Sequence, residues 1–300
     1  MTAANETKSE IKSETKALEH MTGASFLGNA FLAVFKLWAG IAGSSVAMLS
    51  DAIHSCSHVF TTLIALVGVR AGERQADDQH PYGHERMESI ASMILGLILV
   101  YAAFTIAKNG LEAIITGSYK TIGTPGVIAL VAAAVSIAVN EGMYLYTRYY
   151  AEKIHSSAFM AAALHDRSDS LSSVGSLIGI VGAMAGFPIM DSLAALVICG
   201  FLFKSAYDIL KEAFDEMLDV SGGTGFDQKL TEYVAGQAEV VRVDTLRSRL
   251  FGSRIYVDLE LEVDGQRPLK EAHAVAQRVH DNVERDFPNV KHIMIHVNPA

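Results

Sequence analysis

The chain has 300 residues, half of them hydrophobic, and its mean hydropathy of +0.27 is too high for an ordinary soluble protein and fits a membrane domain with a polar extension. The formal net charge of −9 argues against a nucleic-acid partner. The only two cysteines, Cys56 and Cys199, lie in separate apolar segments, so a disulfide framework is not expected.

The N-terminal part of the chain consists of a polar segment followed by six apolar stretches. Residues 1–22 lack the apolar core of a signal peptide, and we expect them to form a cytoplasmic tail. A membrane-spanning helix needs about 20 mostly apolar residues, and we expect residues 23–210 to form a transmembrane domain. The stretches run from about Gly23 to Gly43, Ser45 to Val69, Met87 to Ile115, Thr124 to Tyr146, Ala158 to Ala185 and Met190 to Tyr207. The sequence therefore predicts an α-helical membrane protein with six transmembrane helices.

Basic residues indicate the orientation, because cytoplasmic loops carry an excess of lysine and arginine. The tail carries three lysines, and the second and fourth loops carry, among others, Arg86 and Arg148. The loops on the opposite side carry a single lysine, Lys120. Both termini are therefore expected in the cytoplasm, which an even number of spans requires. The absence of a targeting peptide suits a bacterial inner (plasma) membrane.

The composition changes after about Asp219, where the segment SGGTG predicts a flexible break. The residues that follow alternate as β-branched strands or repeat with a helical period of 3.6, in the order helix, strand, strand, helix, strand. This order predicts a small α+β domain of αββαβ type, within a C-terminal region 211–300. A domain of about 80 residues is marginally stable alone, so we expect it to dimerise.

Ionisable residues occur inside two of the predicted spans, where they are costly and mark candidate functional sites. In LSDAIHSCSH, His54 and His58 are four residues apart and share a helical face, and Asp51 lies near that face. In LHDRSDS, His165 and Asp169 repeat the spacing. A lone intramembrane histidine is more often a hydrogen-bonded packing residue, but two matched pairs can form a four-coordinate site. Tetrahedral nitrogen and oxygen ligation at about 2.0–2.2 Å suits Zn²⁺.

Two further groups of histidines and carboxylates lie outside the spans. Asp77, His80 and His84 fall within eight residues of the loop before the third helix, where a polar solvated loop with turn-forming Pro81 and Gly83 is the alternative interpretation. The α+β domain adds four residues that are also compatible with ordinary surface positions: Asp244, Asp258, His273 and His296.

The sequence resembles the cation diffusion facilitator family of divalent-metal/proton antiporters, from about Phe26 to Pro299. The resemblance rests on GSSVAMLSDAIHSCSH, DDQHPYGHERMES and LHDRSDS, and on the later segments VDTLR, YVDLELEV, EAHAVA and HVNP. It implies six transmembrane helices and a cytoplasmic domain of ferredoxin-like, metallochaperone-like fold, assembled as a homodimer.

The resemblance also implies three metal sites and one charged pair. Arg86 and Asp219 match a pair that, in the family, ties the helices to the cytoplasmic domain near the dimer interface. The implied sites are a transport site of His54, His58, His165 and Asp169, a loop site of Asp77, His80 and His84, and a cytoplasmic site drawn from Asp244, Asp258, His273 and His296.

One departure concerns the charge of the transport site. Relatives with the HSxSD form of the second helix have aspartate where this chain has His58, so the ligand charge falls from −2 to −1. A bound divalent ion would leave about +1 in a buried site, which is unfavourable unless Asp51 is recruited or a water intervenes. Three imidazoles would favour Zn, Co, Ni or Cu over Mn or Mg. Asp244 and Asp258 likewise stand where some relatives have histidine.

The expected function is efflux of divalent transition-metal cations, zinc first, from the cytoplasm in exchange for protons. Metal binding needs neutral histidine and ionised aspartate, so one site can hold either metal or protons in an alternating-access cycle. The expected partners are a second copy of the chain, the lipid bilayer, protons and divalent metal ions, with no prosthetic group. Cobalt, nickel, iron, manganese and cadmium stay open as substrates.

Three other functions share some of these sequence features. A non-transporting metal sensor or scaffold would keep the same fold, and the missing carboxylate at His58 favours it. A membrane metalloenzyme would need an open metal position and a general base, and the sequence contains no HExxH motif, so we expect no enzyme. An ion channel would conduct without a saturable site.

Overall fold

The computed structural model describes residues 23, 26–72, 77–120, 124–153, 157–252 and 254–300. The predicted tail, residues 1–22, lies outside this range. Within the helices, some side chains also lie outside the description, namely those of residues 65–72, 120, 153, 157–159, 161–162 and 165. The chain divides into two compact units, the first formed by residues up to Leu63 with Leu95–Tyr207, and the second by Ile64–Ile94 with Asp208–Ala300.

Within the described residues, six long helices confirm the predicted membrane architecture. Their bounds are α1 Phe26–Ala42, α2 Val46–Gly72, α3 Met87–Thr116, α4 Val127–Lys153, α5 Ser157–Met184 and α6 Ile189–Met217. Among the described residues, α3, α4 and α6 are long and apolar enough to cross a membrane by length and composition, and α1 is a shorter apolar helix. Helices α2 and α5 have 27 and 28 residues and carry the ionisable residues of the predicted transport site.

Helix α6 continues to Met217, beyond the predicted end at Tyr207. The prediction followed hydropathy, whereas backbone hydrogen bonding continues through the polar segment KEAFDEM. The helix ends in a Schellman motif, in which the Val220 amide donates to the Asp215 carbonyl and the Asp219 amide to the Glu216 carbonyl. Asp219 adopts the left-handed conformation that this motif requires, with φ of 57°.

The start of α2 is fixed by a carboxylate from the first turn of α6. Asp191 accepts hydrogen bonds from the Ser45 hydroxyl at 2.6 Å and from the Val46 amide at 2.7 Å. The Ser45 hydroxyl in turn accepts a hydrogen bond from the Met48 amide. These contacts satisfy donors that a helix N-terminus otherwise leaves unpaired, and they hold the register of the helix that carries His54 and His58.

Small residues allow close helix packing in the first unit. A β-carbon added at Gly43 would lie 2.8 Å from the side chain of Ala129, so the backbones approach too closely for any larger residue. One buried cluster in this unit contains Ala39, Met48, Ala129, Ala132, Ala133 and Ile180. Close packing of this kind places α2 beside its neighbours with little freedom, which positions the site residues.

The C-terminal domain has the predicted αββαβ order, with α7 Thr224–Ala235, β1 Arg242–Phe251, β2 Arg254–Val263, α8 Leu269–Asp286 and β3 Val290–Pro299. The sheet order is β1-β2-β3, with β1 antiparallel and β3 parallel to β2. Alternate residues of β2 are buried against the helices, among them Val257, Leu259 and Leu261. The β2 residues that alternate with these, among them Asp258, Glu260 and Glu262, are exposed or half-buried.

Candidate metal centre

Three side chains from α2 and α5 converge in the first unit. The Nε2 atoms of His54 and His58 lie 3.5 Å apart, and they lie 3.6 and 3.5 Å from Oδ1 of Asp169. The three atoms therefore form a nearly equilateral triangle. His54 and Asp169 are buried, whereas the His58 side chain retains 22% of its exposure, so the cluster is open on the His58 side.

The size of the triangle fits one face of a tetrahedral metal site. Bonds of about 2.0–2.1 Å to a tetrahedral ion require ligand atoms about 3.3–3.4 Å apart, slightly less than the distances observed. Both predicted i,i+4 pairs lie on described helices. His54 and His58 are one turn apart on α2, and His165 and Asp169 are one turn apart on α5. The His165 side chain lies outside the described ones, so its part as a fourth ligand stays a prediction.

Asp51 belongs to a different buried network and is not brought to the triangle. Its carboxylate pairs with the ammonium of Lys36 at 2.9 Å, and both side chains are fully buried. It also accepts hydrogen bonds from the hydroxyls of Ser172 and Ser173, each at 2.9 Å. Its charge is therefore balanced by Lys36, and the expected recruitment of Asp51 to the metal finds no support in this geometry.

Lys36 was not among the site residues predicted from the sequence. Its ammonium has three donors, and these meet three acceptors at 2.9 Å, namely Asp51, the Ser55 hydroxyl and the Ser173 hydroxyl. The network links α1, α2 and α5 one turn away from His54 and Asp169. A lysine in the middle of the apolar stretch FLAVFKLWAG was the signal that could have revealed it, because such a charge requires a buried partner.

The predicted loop residues form a second cluster, in the second unit. Asp77 Oδ1 lies 3.2 Å from His80 Nδ1, and Asp77 Oδ2 lies 3.5 Å from His84 Nε2. The amide hydrogen bond from His80 lowers the pKa of the Asp77 carboxyl below its ordinary value, and further hydrogen bonds from the His80 ring and the Gln79 amide act in the same direction. The carboxylate is thus held ionised between two imidazoles, as a metal ligand must be.

The four predicted residues of the C-terminal domain are all exposed. None of them belongs to a close cluster of three or more ligand groups among the described side chains. Asp244 instead pairs with Arg242 at 2.9 Å and accepts a hydrogen bond from Asn298 at 3.0 Å. Asp258 and His296 lie on the sheet face that points away from the core, and His273 lies on α8. The implied cytoplasmic site therefore stays a prediction.

The predicted pair of Arg86 and Asp219 is present. The Arg86 guanidinium donates to the Asp219 carboxylate and lies 4.8 Å from the centre of the Phe251 ring, a cation–π distance. Arg249 approaches the same carboxylate at 3.9 Å. The contacts join the segment before α3, the end of α6 and strand β1, all in the second unit.

Comparison with known proteins assigns both parts of the chain. Residues 23–218 match the family described as "Cation efflux transmembrane domain", and residues 226–300 match "Cation efflux protein, cytoplasmic domain". The two matches together cover nearly all of the described residues.

Full-length relatives share this organisation. The protein named "Uncharacterized transporter YdbO" from Bacillus subtilis is 34% identical over 89% of this chain and 91% of its own. The "Magnetosome protein MamB" of Magnetospira sp. is 31% identical over 87% and 88%. The "Manganese efflux system protein MneP" of Bacillus subtilis is 26% identical over 92% and 94%.

Proposed function

This chain belongs to the cation efflux family. From that premise we propose that it exports divalent transition metals in exchange for protons, with zinc as the preferred metal. Family membership makes the chain a multi-pass membrane transporter of divalent metal cations, with a cytoplasmic C-terminal domain, and not an enzyme. The choice of metal, the coupling to protons and the residues of the transport site are the proposal.

The triangle of His54, His58 and Asp169 carries this proposal. Two imidazole nitrogens and one carboxylate oxygen, 3.5–3.6 Å apart inside a helical membrane domain, suit a borderline cation such as Zn²⁺. His165, on the next turn of α5, is proposed as the fourth ligand.

Proton exchange follows from the same ligands. Imidazole binds either a metal or a proton through one lone pair, and histidine titrates near neutral pH. In alternating access, the site facing the cytoplasm takes metal and releases protons, and the site facing the other side does the reverse. An inward proton gradient then drives export. We place the chain in a bacterial inner membrane, as a homodimer joined through residues 211–300.

A manganese exporter is the second candidate, because the relative MneP is named for manganese efflux. Manganese prefers carboxylate oxygen to imidazole, and the described cluster offers only one carboxylate. The ligand chemistry therefore favours zinc, cobalt or nickel over manganese.

The test is metal uptake into proteoliposomes with an imposed pH gradient, using zinc, cobalt, nickel, iron, cadmium and manganese in turn. We expect saturable, gradient-dependent zinc uptake that Asp169→Asn abolishes. The matched control is Asp166→Asn, which removes a second buried carboxylate from α5 that is not part of the triangle; it should retain uptake.

Two outcomes would contradict the proposal. Unchanged zinc uptake by Asp169→Asn would remove the proposed site. Metal binding by the wild type with no flux under any gradient would favour a sensor or scaffold, and conductance without saturation would favour a channel.

A further inference from the structure

A third cluster of ligand groups lies in the C-terminal domain, away from every residue that the sequence singled out. His280 and Glu284 are one turn apart on α8, and His292 lies near the start of the adjacent strand β3. Glu284 Oε1 lies 3.2 Å from His280 Nε2 and 3.4 Å from His292 Nδ1. One ligand atom from each residue lies within 4.8 Å of the other two.

The backbone fixes the His280 ring. Its Nδ1 lies 2.9 Å from the carbonyl oxygen of Ile293, and a carbonyl only accepts, so Nδ1 carries the hydrogen. A neutral ring then presents the lone pair of Nε2 to the Glu284 carboxylate. Two lone-pair groups at 3.2 Å repel each other unless a cation lies between them. A backbone carbonyl that orients an imidazole in this way is typical of histidines that bind metal.

The spacing and the ligand types indicate which cation. The distances of 3.2 and 3.4 Å match the edges of about 3.3–3.4 Å expected for tetrahedral bonds of about 2.0–2.1 Å. Two imidazoles and one carboxylate form a ligand set that binds Zn²⁺, with water at the fourth position. The three side chains are 25%, 35% and 49% exposed, so an ion and its water can reach them.

We propose that His280, Glu284 and His292 form a binding site for a divalent transition metal of the zinc type on the cytoplasmic domain. The site is built within one chain and needs no ligand from the transmembrane helices. It is also distinct from the implied set of Asp244, Asp258, His273 and His296, with which it shares no residue. A test of this site is therefore independent of a test of the proposed transport function.

The adjacent residue links the site to the loop that carries the second cluster. Lys291, next to His292 on β3, pairs with Glu85. Glu85 is buried and lies between His84 and Arg86 in the sequence. The Lys291 ammonium also lies 5.8 Å from the centre of the Tyr256 ring, and that ring lies 6.4 Å from His292. An ion bound at His292 would thus lie beside the contact between β3 and the loop.

The test is equilibrium binding of Zn²⁺ to the full-length, metal-free protein in detergent, with Co²⁺ as an optical probe of tetrahedral ligation. Glu284→Gln and His292→Asn should each remove about one bound Zn²⁺ per chain, or weaken its binding at least about tenfold, because loss of even a hydrogen-bond partner of a ligand typically costs about 10–100-fold in metal affinity. The matched control is Asp281→Asn. Asp281 is an exposed carboxylate next to His280 that bonds Gln277 and not the cluster, so its variant should bind like the wild type.

Glu284→Gln keeps the side-chain shape at a partly exposed position, so it tests the site even if His292→Asn fails to fold. If Glu284→Gln binds zinc with the stoichiometry and affinity of the wild type and its Co²⁺ spectrum is unchanged, the proposal is overturned. A proton would then be the cation that bridges His280 and Glu284. Because binding is measured in detergent, a failure of transport would not affect the result.

Discussion

The Nε2 atom of His58 lies 3.5 Å from Oδ1 of Asp169, as near to that carboxylate as the Nε2 of His54 on the preceding turn of α2. The His58 side chain therefore points into the cluster. Since Asp51 is neutralised by Lys36, Asp169 is the one carboxylate of the described triangle. A divalent ion bound there would leave a net charge of about +1, and an enclosed net charge is costly.

The first prediction concerns that charge. His58→Asp would place a second carboxylate about 4 Å from the ion, where its attraction to the net charge of about +1 on the occupied site is worth about 4 kcal/mol at an effective dielectric constant of about 20. Even after part of this is lost to desolvation, we expect metal to bind at least about tenfold more tightly, with a shift towards manganese. His58→Asn is the control, because it removes the imidazole and adds no charge; it should bind zinc more weakly than the wild type.

The measurement is a metal panel in proteoliposomes, combined with equilibrium binding in detergent. If both position-58 variants bind and transport all six metals like the wild type, His58 is not a ligand.

Local periodicity explains why this part of the site could be predicted. Residues four apart on a helix share a face whatever the helix packs against, so the pairs His54 with His58 and His165 with Asp169 could be assigned from spacing alone. The αββαβ order could likewise be predicted, from the alternation of apolar residues in the strands and their 3.6-residue period in the helices. The predicted boundaries were less accurate, because α6 continues past its apolar stretch to Met217.

Contacts that join distant segments could not be predicted in this way. Asp51 shares roughly the face of His54, yet its partner Lys36 comes from another helix, and spacing cannot say which buried charge an aspartate meets. His280 and Glu284 have an i,i+4 spacing, but His292 joins them only because β3 returns beside α8. Such groupings depend on how elements pack.

The second prediction concerns the buried pair of Lys36 and Asp51. Removing one partner leaves an uncompensated buried charge, so Lys36→Met should lower the free energy of unfolding by about 3–5 kcal/mol. In the double variant Lys36→Met/Asp51→Asn neither charge remains, and much of the loss should be recovered. Thermal unfolding in detergent, followed by circular dichroism, measures both. A double variant that is less stable by the sum of the two single losses would contradict the pairing.

The third prediction separates charge from backbone conformation at Asp219. The pair with Arg86 is partly exposed, 35% and 44%, so its loss should cost no more than about 1 kcal/mol. At a φ of 57°, glycine meets no steric penalty. A residue with a β-carbon, such as alanine, loses about 1–2 kcal/mol of stability in this conformation. Asp219→Ala should therefore be less stable than Asp219→Gly, although both lose the ion pair. Asp219→Asn, which tolerates the same conformation, should lose only the charge.

Chemical denaturation of these three variants at low and high salt makes the comparison. The difference between wild type and Asp219→Asn should shrink as salt screens the charges. Equal stability of the alanine and glycine variants would show that the end of α6 is held by something other than this backbone turn.

The fourth prediction is an acid-dependent loss of stability centred on Asp286. Hydrogen bonds from the Arg285 guanidinium and the Tyr233 hydroxyl lower the pKa of the Asp286 carboxyl from 3.8 to about 2. A carboxyl whose pKa is lowered on folding stabilises the folded state fully above its unfolded pKa, and the stabilisation disappears as the pH falls through the folded value. The contribution of Asp286 should therefore be complete at pH 6 and decline between about pH 4 and pH 2.

Asp286→Asn should unfold at a lower temperature than the wild type at pH 6, and the two should converge as the pH approaches 2. Tyr233→Phe should reduce this dependence without abolishing it, since the contact with Arg285 remains. A constant difference between wild type and Asp286→Asn across this range would mean that ionisation of Asp286 is not the cause.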